Sequence, residues 1–151
     1  MSKVYIPAQS AEDWRLFLAE PDKQWRTGYS AKTLAYSWQE ADGFPVSVRK
    51  AFDNSGSATF RHIEPLLIIP EHKVDLPGGR AASQNDVFVL AKSADQLVTI
   101  AVEGKVDEPF DKPVSEWYRN PSAGKVMRFE FLCSELNLPV DAVMDIPYQL
   151  L

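Results

Sequence analysis

The stretch that most constrains this chain is "DVFVLAKSADQLVTIAVEGK", residues 86 to 105. Two runs rich in β-branched and aromatic residues flank a short polar break, the pattern of two antiparallel strands joined by a tight turn. With the turn at Ala94 and Asp95, paired positions sum to 189, which sets Asp86 opposite Glu103. Opposed Cβ atoms in such a pair lie about 4.5–5.5 Å apart. Glu103 and Lys105 are two positions apart and emerge on one face. The hairpin therefore predicts two carboxylates side by side with an ammonium next to them. Opposed carboxylates destabilise a sheet, so something must offset their repulsion. A hard divalent cation with oxygen ligands does so. Lys105 does so in part, and so does a proton shared between the acids.

The flanking sequence supplies helices. "SAEDWRLFLAE" (10–20) carries Ser10 and Asp13 in capping-box positions, with Trp14, Phe17 and Leu18 on one face and Pro21 as its end. "SAKTLAYSWQEADG" starts with Ser30 as a cap, presents Leu34, Trp38 and Ala41, and stops at Gly43. "PVSVRKAF" (45–52) opens with a first-turn proline and "DNSGS" is a loop. "PLLIIP" (65–70) reads as a short strand between proline breakers, and "EHKVDLPGGRAASQN" as a loop with a Pro-Gly-Gly turn. "PVSEWYRN" and "GKVMRFEFLCSELNL" read as helices, the second with a stripe of Val126, Phe129, Cys133 and Leu136, while "VDAVMDIPYQLL" is ambiguous.

The expected architecture is α/β: one domain over 1–151, with a helical N-terminal part (1–55), a β-hairpin core (64–106) and a C-terminal helical part (112–151). Its small mixed or antiparallel sheet is flanked by helices. At 151 residues a chain buries enough surface to fold without staples. The net charge of −5 argues against a broad basic face that grips nucleic acid by charge alone. A single cysteine, Cys133, makes no internal disulfide and reads as a small buried hydrophobe. The start "MSKVYIPAQSAEDW" holds no signal-peptide run, and no window approaches a membrane span of about 20 apolar residues. The expectation is a cytoplasmic protein without a membrane partner.

"QND…VEGK", an Asp before a strand followed by Glu-x-Lys at the end of the next, resembles the PD-(D/E)XK nuclease-like fold. The wider stretch from "PEHKVDLPGG" to "VEGKVDEPF", with "GYSAKTLAYSWQEADGFP" and "PYQLL", resembles a branch of bacterial domains of unknown function placed near those nucleases. The resemblance implies a restriction-endonuclease-like core. It also implies Mg²⁺ (or Mn²⁺) held by Asp86, Glu103 and the Gly104 carbonyl, with Lys105 orienting water and stabilising charge on a phosphate. Asn85 stands where those nucleases usually have proline, and Glu40 or Glu64 stands in for an upstream helix glutamate. Relatives of this kind continue past "YQLL", with Gln149 opening a further helix. On that basis the chain is expected to be C-terminally shortened and able to pair as a homodimer.

The functional expectation is a metal-dependent nuclease hydrolysing nucleic acid, with Asp86, Glu103 and Lys105 as catalytic residues. Its alternative is a catalytically inactive nuclease-like domain serving protein interaction. Against both stands the plain reading, in which the three charges are solvated strand ends and Glu103–Lys105 is a surface pair of little worth. His62 and His72 lack metal-helix spacing and argue against zinc. "LPGGRAAS" precedes a strand instead of opening a helix, so it is no phosphate cradle, though it suits a flap beside Asp86. The early aromatics (Trp14, Phe17, Trp25, Tyr29, Tyr36, Trp38, Phe44) read as core before base-stacking surface. Arg26, Lys32, Arg49, Lys50 and Arg61 are the local cations a phosphate strand would meet.

Overall fold

The computed structural model describes Val4 and residues 8–79 and 82–151. Two compact units are resolved: residues 1–72 with 85–108, and residues 73–84 with 109–151. The first unit holds most of the sheet and the N-terminal helices. Asp13 folds back so that its Oδ2 accepts the backbone N–H groups of Gln9 and Ser10, each at 2.8 Å. This ties off the start of a 3₁₀ helix, Ala11–Phe17. Trp14 is buried there and its indole N–H donates to Gln39 Oε1 at 2.9 Å, so its burial leaves no donor orphaned. A four-residue helix, α1 (Pro21–Gln24), follows with Pro21 in its first turn. Helix α2 (Ser30–Gln39) buries Ala35 and Trp38. Helix α3 (Val46–Ser55) starts one residue after Pro45 and runs through Asp53 and Asn54 to Gly56, whose φ of +66° suits a helix stop. The expected loop "DNSGS" thus shrinks to its last two residues, because the glycine and not the polar cluster sets the end.

Most of the early aromatics are packing groups. Trp38 meets Phe44 edge-on at 6.0 Å, Phe44 meets Phe52 at 5.0 Å, and Phe52 stacks on Phe60 at 4.6 Å. Tyr29 and Tyr36 remain exposed.

Three strands, β1 (Glu64–Val74), β2 (Ser83–Ser93) and β3 (Gln96–Val102), form an antiparallel sheet in the order β1-β2-β3. The structure is therefore α/β with a small antiparallel sheet. β1 is longer than the 65–70 expected and runs through both prolines, which an edge strand tolerates because one side of it needs no N–H. Likewise, the loop expected from 71 to 85 is trimmed at both ends by strand. Of that loop, Arg80 and Ala81 lie outside the described residues. β2 and β3 join through Ala94 and Asp95, with Ala94 at φ +51°. Their register pairs Val87 with Val102, Val89 with Ile100 and Ala91 with Val98, the sum of 189 that the sequence predicts. Val87, Val89 and Ala91 on the central strand are fully buried and pack with Trp14, Trp38, Ile63 and Ile68.

The second unit has its own core of Val114, Phe129, Cys133 and Val143. Its helices are α4 (Val114–Trp117), α5 (Ala123–Glu135) and α6 (Val140–Val143), followed by a 3₁₀ turn at Tyr148–Leu150. Ser122 caps α5 by accepting the Lys125 N–H. Trp117 stacks on Tyr148 at 3.8 Å. Gly78, at φ +80°, lies backbone to backbone against Gly124, where a side chain on either would collide. Cys133 is buried as expected, and burial pushes its thiol up. Leu136, expected on the buried stripe, is the C-terminal flank of α5 and is exposed, because the helix ends at Glu135. Gln149 lies in the closing turn, where its Oε1 accepts the Asp111 N–H at 2.8 Å. Among the described residues no helix is long and apolar enough to cross a membrane.

Candidate functional site

The β2–β3 hairpin positions the predicted residues. Asp86 lies in β2, one step before the Val87–Val102 pair, and Glu103, Gly104 and Lys105 follow directly after β3. The ladder stops at Val102, yet the chain stays close. The Gly104 N–H donates to Asp86 Oδ2 at 2.7 Å. Lys105 Nζ donates to Glu103 Oε1 at 2.6 Å, and these side chains are only 17% and 16% exposed, so the pair is no loose surface contact. Asp86, Glu103, Gly104 and Lys105 are thus brought together.

Burial pushes the Asp86 carboxyl up to about 6. The Gly104 amide opposes that rise, the Glu103 charge adds to it, Lys105 opposes it and Glu108 adds to it. The acid is therefore short of positive charge despite its lysine neighbour.

Glu108 is the residue that sequence reasoning missed. Its Oε1 accepts the Ser30 N–H at 2.8 Å and the Ser30 hydroxyl at 3.0 Å, while Oε2 accepts the Val106 N–H at 3.0 Å. Burial works against its charge. The amides of Ser30, Val106 and Glu108 itself, with the Ser30 hydroxyl, nevertheless hold it down at about 2. Glu108 thereby caps α2 from 78 positions away. Ser30, expected as the cap, is instead the first helical residue and a donor. The acid-rich run "VDEP" after the motif was the available signal.

Two further contacts fix this loop on the N-terminal part of α2. A Cβ on Gly104 would lie 2.6 Å from Leu34 Cδ1, so glycine lets the chain lie on that helix. The Asp107 N–H donates to the Gly28 carbonyl at 3.3 Å.

The other nominated groups sit on other elements. Glu40 flanks the C-terminus of α2, and Glu64 is an exposed residue opening β1. His62 is exposed, whereas His72 sits in β1 with its ring 4.8 Å from Phe88. Arg49 donates to the Ile63 carbonyl and lies over Phe44, and Arg26 donates to the Asp22 carbonyl. A cleft of about 400 Å³ along α2 is lined by residues including Lys32, Tyr36 and Glu40, and by none of the predicted trio. Among the described residues no cluster of three or more His, Cys, Asp or Glu is arranged to hold a metal. Any cation at the rim therefore depends on the two carboxylates and the backbone.

The comparison with protein families gives one match, to the domain of unknown function DUF6946, over residues 7–151. The chain belongs to the DUF6946 family. No curated protein and no solved structure matches it. The DUF6946 match includes Asp86, Glu103, Lys105 and Glu108, so the whole rim lies within the family domain.

Proposed function

We propose that the rim of this DUF6946 domain is a divalent-cation site for phosphodiester hydrolysis, with nucleic acid as substrate. The observation that carries this reading is Asp86: half-buried, fixed by the Gly104 N–H, and beside the Glu103 charge, with its carboxyl raised to about 6. Such an acid gains from any cation that replaces its proton. The donor set fits Mg²⁺ or Mn²⁺. Two carboxylates and the Gly104 carbonyl suit a hard ion that retains waters and takes its remaining ligands from phosphate. Nitrogen and sulfur ligands, which zinc prefers, do not enter the proposed set. When bound, the ion supplies Lewis acidity toward a phosphoryl oxygen and lowers the pKa of water.

The chain's own groups do the positioning. Gly104 orients Asp86, and Glu103 holds the Lys105 ammonium at the rim, where it stabilises charge growing on a phosphate. The partners in this reading are a phosphodiester strand and a second copy of the chain.

The test is a Mn²⁺ and Mg²⁺ titration followed by thermal unfolding, with cleavage assays on single- and double-stranded DNA and RNA. Wild type should be stabilised by the metal and should cleave; Asp86→Asn should do neither. Metal stabilisation without cleavage points to an inactive binding module. No metal stabilisation removes the proposal.

A further inference from the structure

We propose that Phe88, with His72 against it, stacks an unpaired base beside the rim, so that the strand taken there is single-stranded. This inference rests on the hydrolytic reading of the rim and names the substrate class of that same site.

Strand β2 has two faces. Val87, Val89 and Ala91 point into the core of the first unit and are fully buried. Side chains two apart share a face, so Asp86, Phe88, Leu90 and Lys92 point the other way. Among the described residues, Phe88 and Leu90 belong to the core of neither unit. Phe88 is half-exposed, and its ring meets the His72 ring from β1 at 4.8 Å with 39° between the planes. On its other side the cross-strand partner is Ala101, and the partner of Leu90 is Thr99. Both of these β3 residues are exposed. A methyl and a short hydroxyl side chain thus make a low shelf beside a paired aromatic wall.

A flat ligand with a π-face suits that step. A partner helix seeks a continuous aliphatic row. This face instead runs Asp86, Phe88, Leu90, Lys92 along β2, charged at both ends, with an imidazole against its aromatic. Asp86 and Phe88 lie about 6.7 Å apart along the strand, so a nucleotide stacked on Phe88 keeps its phosphate by the rim. Lys92 is exposed and lies about 13 Å from Phe88 along the strand, placed for a phosphate further on.

The same geometry selects against a duplex. Paired bases are covered on both faces by their neighbours, and only an unpaired base offers a face to Phe88. Stacking also suits a chain of net charge −5, which has no broad basic surface to hold a strand by its phosphates. Because every base has a π-face, the site should tolerate any sequence.

The experiment is fluorescence anisotropy on the full chain in EDTA, which blocks metal-dependent cleavage. The probes are labelled oligo(dT) and oligo(U) of about 12 nucleotides and a DNA duplex of the same length. At least one of the single strands should bind about tenfold tighter than the duplex. Phe88→Leu keeps apolar bulk and loses the π-face; it should weaken single-strand binding by about 5–100-fold with unchanged circular dichroism. Phe88→Trp should bind as tightly as wild type or more so. A wild type that binds neither single strand overturns the proposal, whatever the metal titrations show. So does a preference for duplex, or a Phe88→Leu variant that binds as wild type does. Phe88-dependent single-strand binding in a chain that metal neither stabilises nor activates upholds the stacking site and removes the hydrolytic reading alone.

Discussion

Asp86 and Glu108 are both acids that accept backbone N–H groups from the stretch following β3, and their proton affinities part in opposite directions. Asp86 takes the Gly104 amide alone, is more deeply buried, and has Glu103 as a neighbour; its carboxyl rises to about 6. Glu108 takes the amides of Ser30 and Val106 and a hydroxyl, at the positive end of α2; its carboxyl falls to about 2. Donor count against desolvation decides the outcome. Glu108 has its charge satisfied and serves as structure. Asp86 has its charge under-compensated, a deficit that a bound cation would relieve.

The largest effects expected are on chemistry. If Asp86 is the acid kept for a cation, the charged groups beside it should matter for turnover. Glu103→Gln and Lys105→Met should each lower cleavage by about 10²–10³-fold, on the scale of losing one preorganised electrostatic group. Glu108→Gln should leave turnover within about tenfold. Equal losses at Lys105 and Glu108, in initial-rate assays with folding verified, would erase the distinction between the two acids.

Next in size is a stability effect with an unusual sign. The Asp86 carboxyl sits about two units above its ordinary value, so ionising it in the folded state costs about 2–3 kcal/mol. A raised folded pKa means this penalty is absent below about pH 4, grows between about 4 and 6, and is complete above about 6. Asp86→Asn should therefore stabilise the protein at pH 8 by about 2 kcal/mol and change little at pH 4. Urea unfolding at the two pH values reads this directly, and a variant destabilised equally at both would refute it. Added Mn²⁺ should stabilise wild type less at pH 5 than at pH 7.5, because protons compete for the acid.

A smaller effect tests how the loop is held. Gly104→Ala drives a Cβ into Leu34, so it should cost about 1–2 kcal/mol and loosen the amide from Asp86. NMR titration should then show the Asp86 pKa rising further, since an opposing hydrogen bond has been weakened.

The hairpin register was legible in the sequence because a two-residue turn and a period of two leave one integer to choose, and that integer fixes every pair from Val87–Val102 onward. Cys133 was legible for the same kind of reason, a helical stripe. The extent of β1 was not. Pro65 and Pro70 read as breakers when the strand is assumed central, whereas β1 is an edge. The cap of α2 was not legible either. Cap rules look a few residues along the chain, and they nominate Ser30. The oxygen in fact comes from Glu108, beyond the hairpin, and a local rule has no view of a partner brought close only by the packing of the loop on α2.

Glu108→Gln carries the smallest expected effect and the sharpest control. Glutamine keeps one carbonyl oxygen for the Ser30 amide but loses the charge at the helix start and one of the two acceptor oxygens. With solvent screening at a partly exposed site, the cost should be about 1 kcal/mol, in the range of an N-cap loss. Because the folded pKa is depressed to about 2, the wild-type contribution is present above about pH 4.5 and fades as pH falls toward 2. The stability difference between Glu108→Gln and wild type should thus shrink on acidification below pH 4.5. For Asp86→Asn the difference, of opposite sign, should shrink between pH 6 and 4. Two unfolding series over the same pH range would separate the acids by both sign and window. If both differences instead had one sign and faded together, burial and donor count would not be what divides these two carboxylates.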